Sequence, residues 1–219
     1  ERLIAIGSPR FDRYVNARAG AFEKGKQLFT QLGLDTKRKV LLITVPFSDV
    51  NTYAFDSYQL AEFFEAIHTA QSVIPGIQVL FKFRRHECDG ATREYLQELF
   101  ITDYAIAGSE ELFPLLCASD AVVSGNSTVI YETMLAQKPL VLYPWKSFDT
   151  YNARVCEPAA PLARTAREAV QVLARIFADA SYREELMERQ KCFIKRYSFD
   201  GKSSARMGEF IRGLLQKQK

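Results

Sequence analysis

The sequence predicts an α/β, Rossmann-like protein: a mostly parallel sheet of about six strands, helices on both faces, and a C-terminal helical cover. Three observations carry that prediction. Short β-branched and apolar runs alternate with helix-period stretches as far as Tyr143, the rhythm of βαβ units around a parallel sheet. The runs are nearly all apolar, as strands buried on both faces must be. Beyond Pro144 the strand signals stop and only helical periodicity remains.

In chain order the strands are expected at 3–6, 40–45, 78–83, 104–107, 121–124 and 140–143. Helices are expected between them at 21–32, 57–73, 90–100, 110–118 and 127–136. Leu60, Phe63, Phe64 and Ile67 show the three- and four-residue apolar steps of a helix facing a core. The cover is read as helices at 166–178, 182–197 and 203–215. Pro158 and Pro161 punctuate a surface turn and leave residues 1–219 as a single domain.

A chain of 219 residues with 47% hydrophobic and 25% charged residues can bury a sizeable core. Its net charge of +3 lacks the excess of a nucleic-acid binder. Cys88, Cys117, Cys156 and Cys192 form no CxxC pair, so they fit neither a zinc site nor a dense disulfide framework and are read as reduced thiols of a cytoplasmic protein. No apolar run reaches the roughly 18 to 20 residues of a membrane span, and the N-terminus has no signal-peptide pattern. The abrupt entry from Glu1 into an apolar run leads to the expectation of a piece of a longer protein.

The strongest local feature is the strand 121–124 followed by Ser124-Gly125-Asn126-Ser127-Thr128 and a helix. Unpaired N–H groups in a first helical turn, with the helix dipole, favour phosphate. Gly125 permits close backbone approach, and Ser127 and Thr128 add hydroxyls. A simple helix cap accounts for one of these residues and leaves the others unexplained. Glu132 lies four residues past Thr128 on the same helix face, beyond capping-box spacing, where its carboxylate could accept hydrogen bonds from ribose hydroxyls. His86, with Arg84 and Arg85, follows the strand at 78–83, where N–H donors could stabilise a diphosphate leaving group. A third strand-to-helix turn, with Gly108 and Leu112, carries Phe113, an aromatic ring suited to packing against a base.

Taken together, Gly7-Ser8-Pro9-Arg10-Phe11-Asp12, His86, Leu115-Leu116-Cys117-Ala118-Ser119-Asp120, the Ser-Gly-Asn-Ser-Thr turn, Tyr131-Glu132 and Lys138-Pro139-Leu140-Val141 resemble the C-terminal domain of GT-B glycosyltransferases. Within that group the likeness is to the branch of bacterial surface-polysaccharide biosynthesis that transfers Kdo or glycerophosphate, and more distantly to UDP-N-acetylglucosamine 2-epimerase. The resemblance implies a transferase that takes a CMP-, CDP- or UDP-linked donor without cofactor or metal. It places donor phosphate on Ser124, Asn126, Ser127 and Thr128, ribose on Glu132, and phosphate or sugar on His86. Where members of the group read His-Pro, this sequence has His86-Glu87.

The resemblance also implies an N-terminal partner domain carrying a glycan or polyprenyl- or lipid-linked acceptor and the catalytic base, with the parent at the inner face of the membrane. The basic residues near the C-terminus are interleaved with acids and read as a solvated helical face. A UDP-sugar epimerase or hydrolase and a non-catalytic nucleotide-binding module share this architecture and remain alternatives.

Overall fold

The computed structural model describes residues 4–44, 57–83, 97–98, 101–125, 127–143 and 155–216. Arg84, Arg85, His86, Cys88, Asn126 and nearly all of the helix expected at 90–100 lie outside the described residues.

The first element, α1 (Pro9–Gln31), is far longer than the 21–32 helix expected. Ser8 occupies the extended N-cap position, and Pro9 follows with its φ already set for the first turn. Phe11, Tyr14, Ala21, Gly25 and Phe29 form the buried stripe. The helix ends at Gly33, whose φ of +82° lets Leu34 N return to Phe29 O (2.9 Å).

Five parallel strands follow: β1 (Val40–Thr44), β2 (Gln78–Lys82), β3 (Tyr104–Ala107), β4 (Ala121–Ser124) and β5 (Leu140–Leu142). Their order across the sheet is β3-β2-β1-β4-β5. Between them lie α2 (Ser57–Val73), α3 (Leu112–Ala118) and α4 (Val129–Leu135). The cover is α5 (Ala166–Ala178), α6 (Ala180–Lys195) and α7 (Ser203–Gln216).

Alternate strand residues feed two cores. Leu41, Ile43, Val79, Phe81, Val123 and Val141 pack with α2 and α5. Val40, Leu42, Leu80, Val122, Leu140 and Leu142 pack with α1, α3, α4 and α6 on the opposite face. This two-residue alternation is why the strands read as unbroken apolar runs. The outer edge of β5 is closed by a parallel bridge to Leu162, with Leu142 N donating to Pro161 O and Ala163 N to Leu142 O, both at 2.9 Å.

Of the strand expected at 3–6, the described residues Ile4 to Ile6 are in no strand, and among the described residues the sheet has five strands. A short apolar run does not say what it pairs with. Here its backbone meets the start of α7 instead. Arg206 Nε donates to Ile6 O (3.0 Å), and Gly7 sits at φ +77° where a Cβ would lie 2.5 Å from Ser203 Oγ.

Asp12 of α1 fixes the same place by accepting from Ser203 N (3.0 Å) and Ser204 N (2.7 Å). Arg206 also holds Asp200 through Nη1 (2.8 Å) and Nη2 (2.9 Å), and its hydrogen bonds bring the Asp200 carboxyl down to about 2. A depressed folded value means the contribution is present above the ordinary 3.8 and is lost as pH falls through about 2. Amide exchange at Ser203 to Arg206 is therefore expected to accelerate across that window before the sheet loses protection; simultaneous loss would contradict a locally anchored α7.

Candidate functional site

Sheet register aligns Ala107, Lys82, Thr44, Ser124 and Leu142 in one row across the carboxyl ends of the strands. From β1 the chain winds outward through β2 and β3. It then crosses back beside β1 and continues outward through β4 and β5. Strand order thus reverses between β1 and β4, and in open parallel sheets the crevice outside such a switch point is where ligands bind.

Thr44 and Ser124 are the pair at this switch. Thr44 Oγ1 donates to Ser124 Oγ at 2.8 Å, and Tyr143 N donates to Ser124 O at 3.0 Å. Ser124 is fully buried, so it ties β4 to both neighbouring strands. Gly125 is buried as well, Ser127 is half-buried and Thr128 is exposed, so the accessible hydroxyls of the described turn belong to the last two. The helix begins at Val129 rather than 127: Ser127 N turns back to Gly125 O (3.1 Å), and Ser127 Oγ accepts from Val129 N (3.4 Å).

Glu132 projects from α4 and is 3% exposed. Its Oε1 accepts from Arg10 Nη2 at 2.9 Å, with the Arg10 side chain itself 57% exposed. Burial pushes the Glu132 carboxyl above its ordinary value, opposed by Arg10 and by the field of Arg13. Arg13 Nη2 donates to Tyr14 Oη (2.5 Å) and lies over the Tyr14 ring at 4.6 Å. The N-terminal part of α1 thus places one guanidinium on the carboxylate and the charge of a second within its field. Neither was among the site residues expected from sequence. The signal was present in Ser8-Pro9, a helix start that aims the next turn's arginines, but reading 3–6 as a strand hid it.

The β3 end is built around Lys82. Its Nζ donates to Phe83 O and Gly108 O, both at 2.6 Å, bridging β2 to the turn after β3. Burial lowers the lysine's pKa, and the charge of Glu110 partly restores it. Glu110 Oε2 is buried with no hydrogen-bond partner among the described residues. Leu112 is half-buried at the start of α3. Phe113 does not face the crevice: it is 3% exposed and stacked on Tyr14 with centroids 4.3 Å apart. The core takes this ring because α1, starting at Pro9 rather than at 21, runs along α3.

The structure thus brings Ser124, Gly125, Ser127, Thr128, Glu132, Gly108 and Leu112 to the carboxyl-end side of one sheet. His86, Arg84 and Asn126 lie outside the described residues. Cys117, Cys156 and Cys192 are free, with burial raising Cys117 and Cys156 to about 11. Among the described residues no helix is long and apolar enough to cross a membrane.

A five-stranded parallel sheet in this order, with a polar turn at its switch point, is the Rossmann-like fold of a GT-B domain. More narrowly, the chain belongs to the CDP-glycerol:poly(glycerophosphate) glycerophosphotransferase family, whose model matches residues 1–213. No curated protein sequence matches the chain. Among solved structures, the wall teichoic acid polymerase TagF is similar at 18% identity and a TM-score of 0.63, over 99% of this chain and 53% of that one. HepE from Anabaena, solved with UDP and glucose, is similar at 15% identity and a TM-score of 0.59, over 87% of this chain and 52% of that one. A glycosyltransferase from Rickettsia africae is similar at 13% identity and a TM-score of 0.63, over 93% of this chain and 55% of that one. At these identities the likeness is one of fold. The chain spans about half the length of these structures.

Proposed function

We propose that this chain binds the nucleotide donor of a glycerophosphate transfer, CDP-glycerol, in the crevice where β1 and β4 part. The observation that carries the reading is the family match over residues 1–213, joined to the polar turn that the Thr44–Ser124 hydrogen bond holds at the switch point of the sheet. Gly125, Asn126, Ser127 and Thr128 take the diphosphate. Glu132 takes the ribose hydroxyls, and the base lies beside Gly108 and Leu112. Arg84 and His86 follow β2 in sequence and supply cationic and imidazole donors.

The donor chemistry differs from sugar transfer in which bond breaks. An acceptor hydroxyl attacks the phosphorus of the glycerol phosphate group, the phosphoanhydride P–O bond breaks, and CMP leaves with the electron pair. Charge accumulates on the departing α-phosphate, so donors are needed there more than at a sugar carbon. The acceptor, a poly(glycerophosphate) chain, and the base that takes its hydroxyl proton belong to the remaining half of a full-length protein, which acts at a membrane face. Transfer needs both substrates in attack geometry, so this chain alone binds donor without turnover. The epimerase and binding-module alternatives have no comparable support.

CDP-glycerol is expected to raise the midpoint of thermal unfolding, by an amount equivalent to about 2.7 kcal/mol at a hundredfold excess over Kd. UDP-glucose is expected to shift it less. The absence of any shift with CDP-glycerol would overturn the donor reading.

A further inference from the structure

The opposite, amino-terminal edge of the sheet carries a cavity of about 850 Å³, within the range of ligand sites. Residues preceding three strands reach it: Lys39 before β1, Asp120 before β4, and Lys138 and Pro139 before β5. Helices α1 and α6 form its walls. Six of its lining side chains are cationic and three acidic, an excess of three that equals the net charge of the whole chain. The positive charge of this protein is therefore concentrated here and balanced elsewhere.

Not all of these charges are free. Asp120 Oδ2 is occupied by Val40 N (2.8 Å), Glu188 pairs with Lys191 (3.2 Å), and Lys39 Nζ reaches Phe177 O (3.5 Å). Arg18 of α1, Lys138 of the α4–β5 turn, and Arg183 and Lys195 of α6 remain, none with a carboxylate of the described residues at ion-pairing distance, and the first three come from three different elements.

Lys138 is held there firmly. Gln137 before it takes a left-handed φ of +56°, and Lys138 N donates to Thr133 O (3.2 Å). Gln190, 1% exposed, clamps the same turn, its amide nitrogen donating to Lys138 O (2.9 Å) and its oxygen accepting from Leu140 N (3.1 Å). The ammonium lies half-buried, 5.8 Å from the Phe22 ring centroid. Burial, opposed by Asp120 and Cys117, lowers its pKa, as an anionic occupant would reverse.

We infer that this amino-edge cavity is a second anion site that grips phosphodiester groups of a glycerophosphate polymer, remote from the donor crevice, with Arg18, Lys138 and Arg183 as its cations. The choice of polymer rests on the glycerophosphotransfer reading. Three separated cations from three elements suit successive phosphates of a flexible chain, each contact adding to the others through effective concentration. A growing product held at this edge stays associated between additions at the other.

The test is titration of the chain with a soluble ten-unit glycerophosphate oligomer, inorganic phosphate, phosphatidylglycerol vesicles and CDP-glycerol. The double variant Arg18→Gln with Arg183→Gln is compared at two salt concentrations, and Lys138→Gln serves as a second variant. The oligomer is expected to bind more tightly than inorganic phosphate, to weaken with salt, and to lose at least tenfold in affinity in either variant while CDP-glycerol affinity stays unchanged. Unchanged oligomer affinity in correctly folded variants, no oligomer binding, or binding confined to vesicles would each overturn the proposal. Failure of CDP-glycerol to bind, with oligomer binding still dependent on Arg18 and Arg183, removes the donor reading and leaves the polymer site standing.

Discussion

Gly25→Ala is expected to lower the free energy of unfolding by about 2 kcal/mol, and Gly25→Val by more. Gly25 lies on the buried stripe of α1, where a Cβ would come within 2.1 Å of Pro114 O and 2.7 Å of Ala118 Cβ. The first of these is backbone of α3 and cannot swing aside. Either the helices separate along their contact or the two strain. Helix propensity acts the other way, favouring alanine by about 1 kcal/mol, so the clash must exceed that gain to destabilise. Gly20 supplies the control: it is on the same helix with nothing within 4 Å of its Cβ position. Gly20→Ala is expected to raise the denaturation midpoint while Gly25→Ala lowers it. Movement of both in the same direction would contradict the close α1–α3 packing.

Glu132→Gln is expected to make the protein more stable at neutral pH and the donor site weaker. Burial raises the Glu132 carboxyl, and the Arg10 contact only opposes it. With the folded value above the unfolded one, the wild-type side chain costs nothing below the ordinary 4.5, and its ionisation penalty sets in as pH rises through the folded value. Glutamine removes that penalty. It strands no buried cation, because Arg10 is 57% exposed and returns to water. The midpoint of thermal unfolding should rise at pH 7, with the difference from wild type closing as pH falls below the ordinary 4.5. Affinity for CDP-glycerol should fall about tenfold or more, as loss of hydrogen bonds to a charged acceptor implies. A carboxylate retained against stability is what a binding role predicts; lower stability with unchanged affinity would make Glu132 a structural partner of Arg10.

The interior of this fold was legible because its strands are buried on both faces. Val40 to Ile43, Val79 to Phe81 and Val122 to Val123 announce themselves as apolar runs, and all five strands of the sheet lie where their runs predict. The run at 3–6 looks the same locally and is not a strand, because its fate depends on Asp12, Ser203 and Arg206, separated in sequence by some 190 residues. Losing that strand and shortening α1 had one cause, and it carried a cost at the site: Arg10 and Arg13 were missed, and Phe113 was offered to a base although Tyr14 holds it in the core.

The location of the polar turn and of Glu132 at the strand ends was readable because the strand-to-helix signal is local. Ser124 shows the limit of such reading. Its composition marks it as a ligand contact, whereas its hydroxyl faces Thr44 across the switch point, a pairing that only sheet order reveals. The amino-edge cavity was illegible for the same reason. Arg18, Lys138 and Arg183 are scattered through the sequence, and only the topology assembles them.

The central claim, that donor binds at the carboxyl edge between β1 and β4, is tested most directly by amide hydrogen exchange with and without saturating CDP-glycerol. Added protection is predicted at residues 124–132 and 107–112, with none at 38–40 or 137–140. Protection confined to the amino edge, or none at any position, would contradict it.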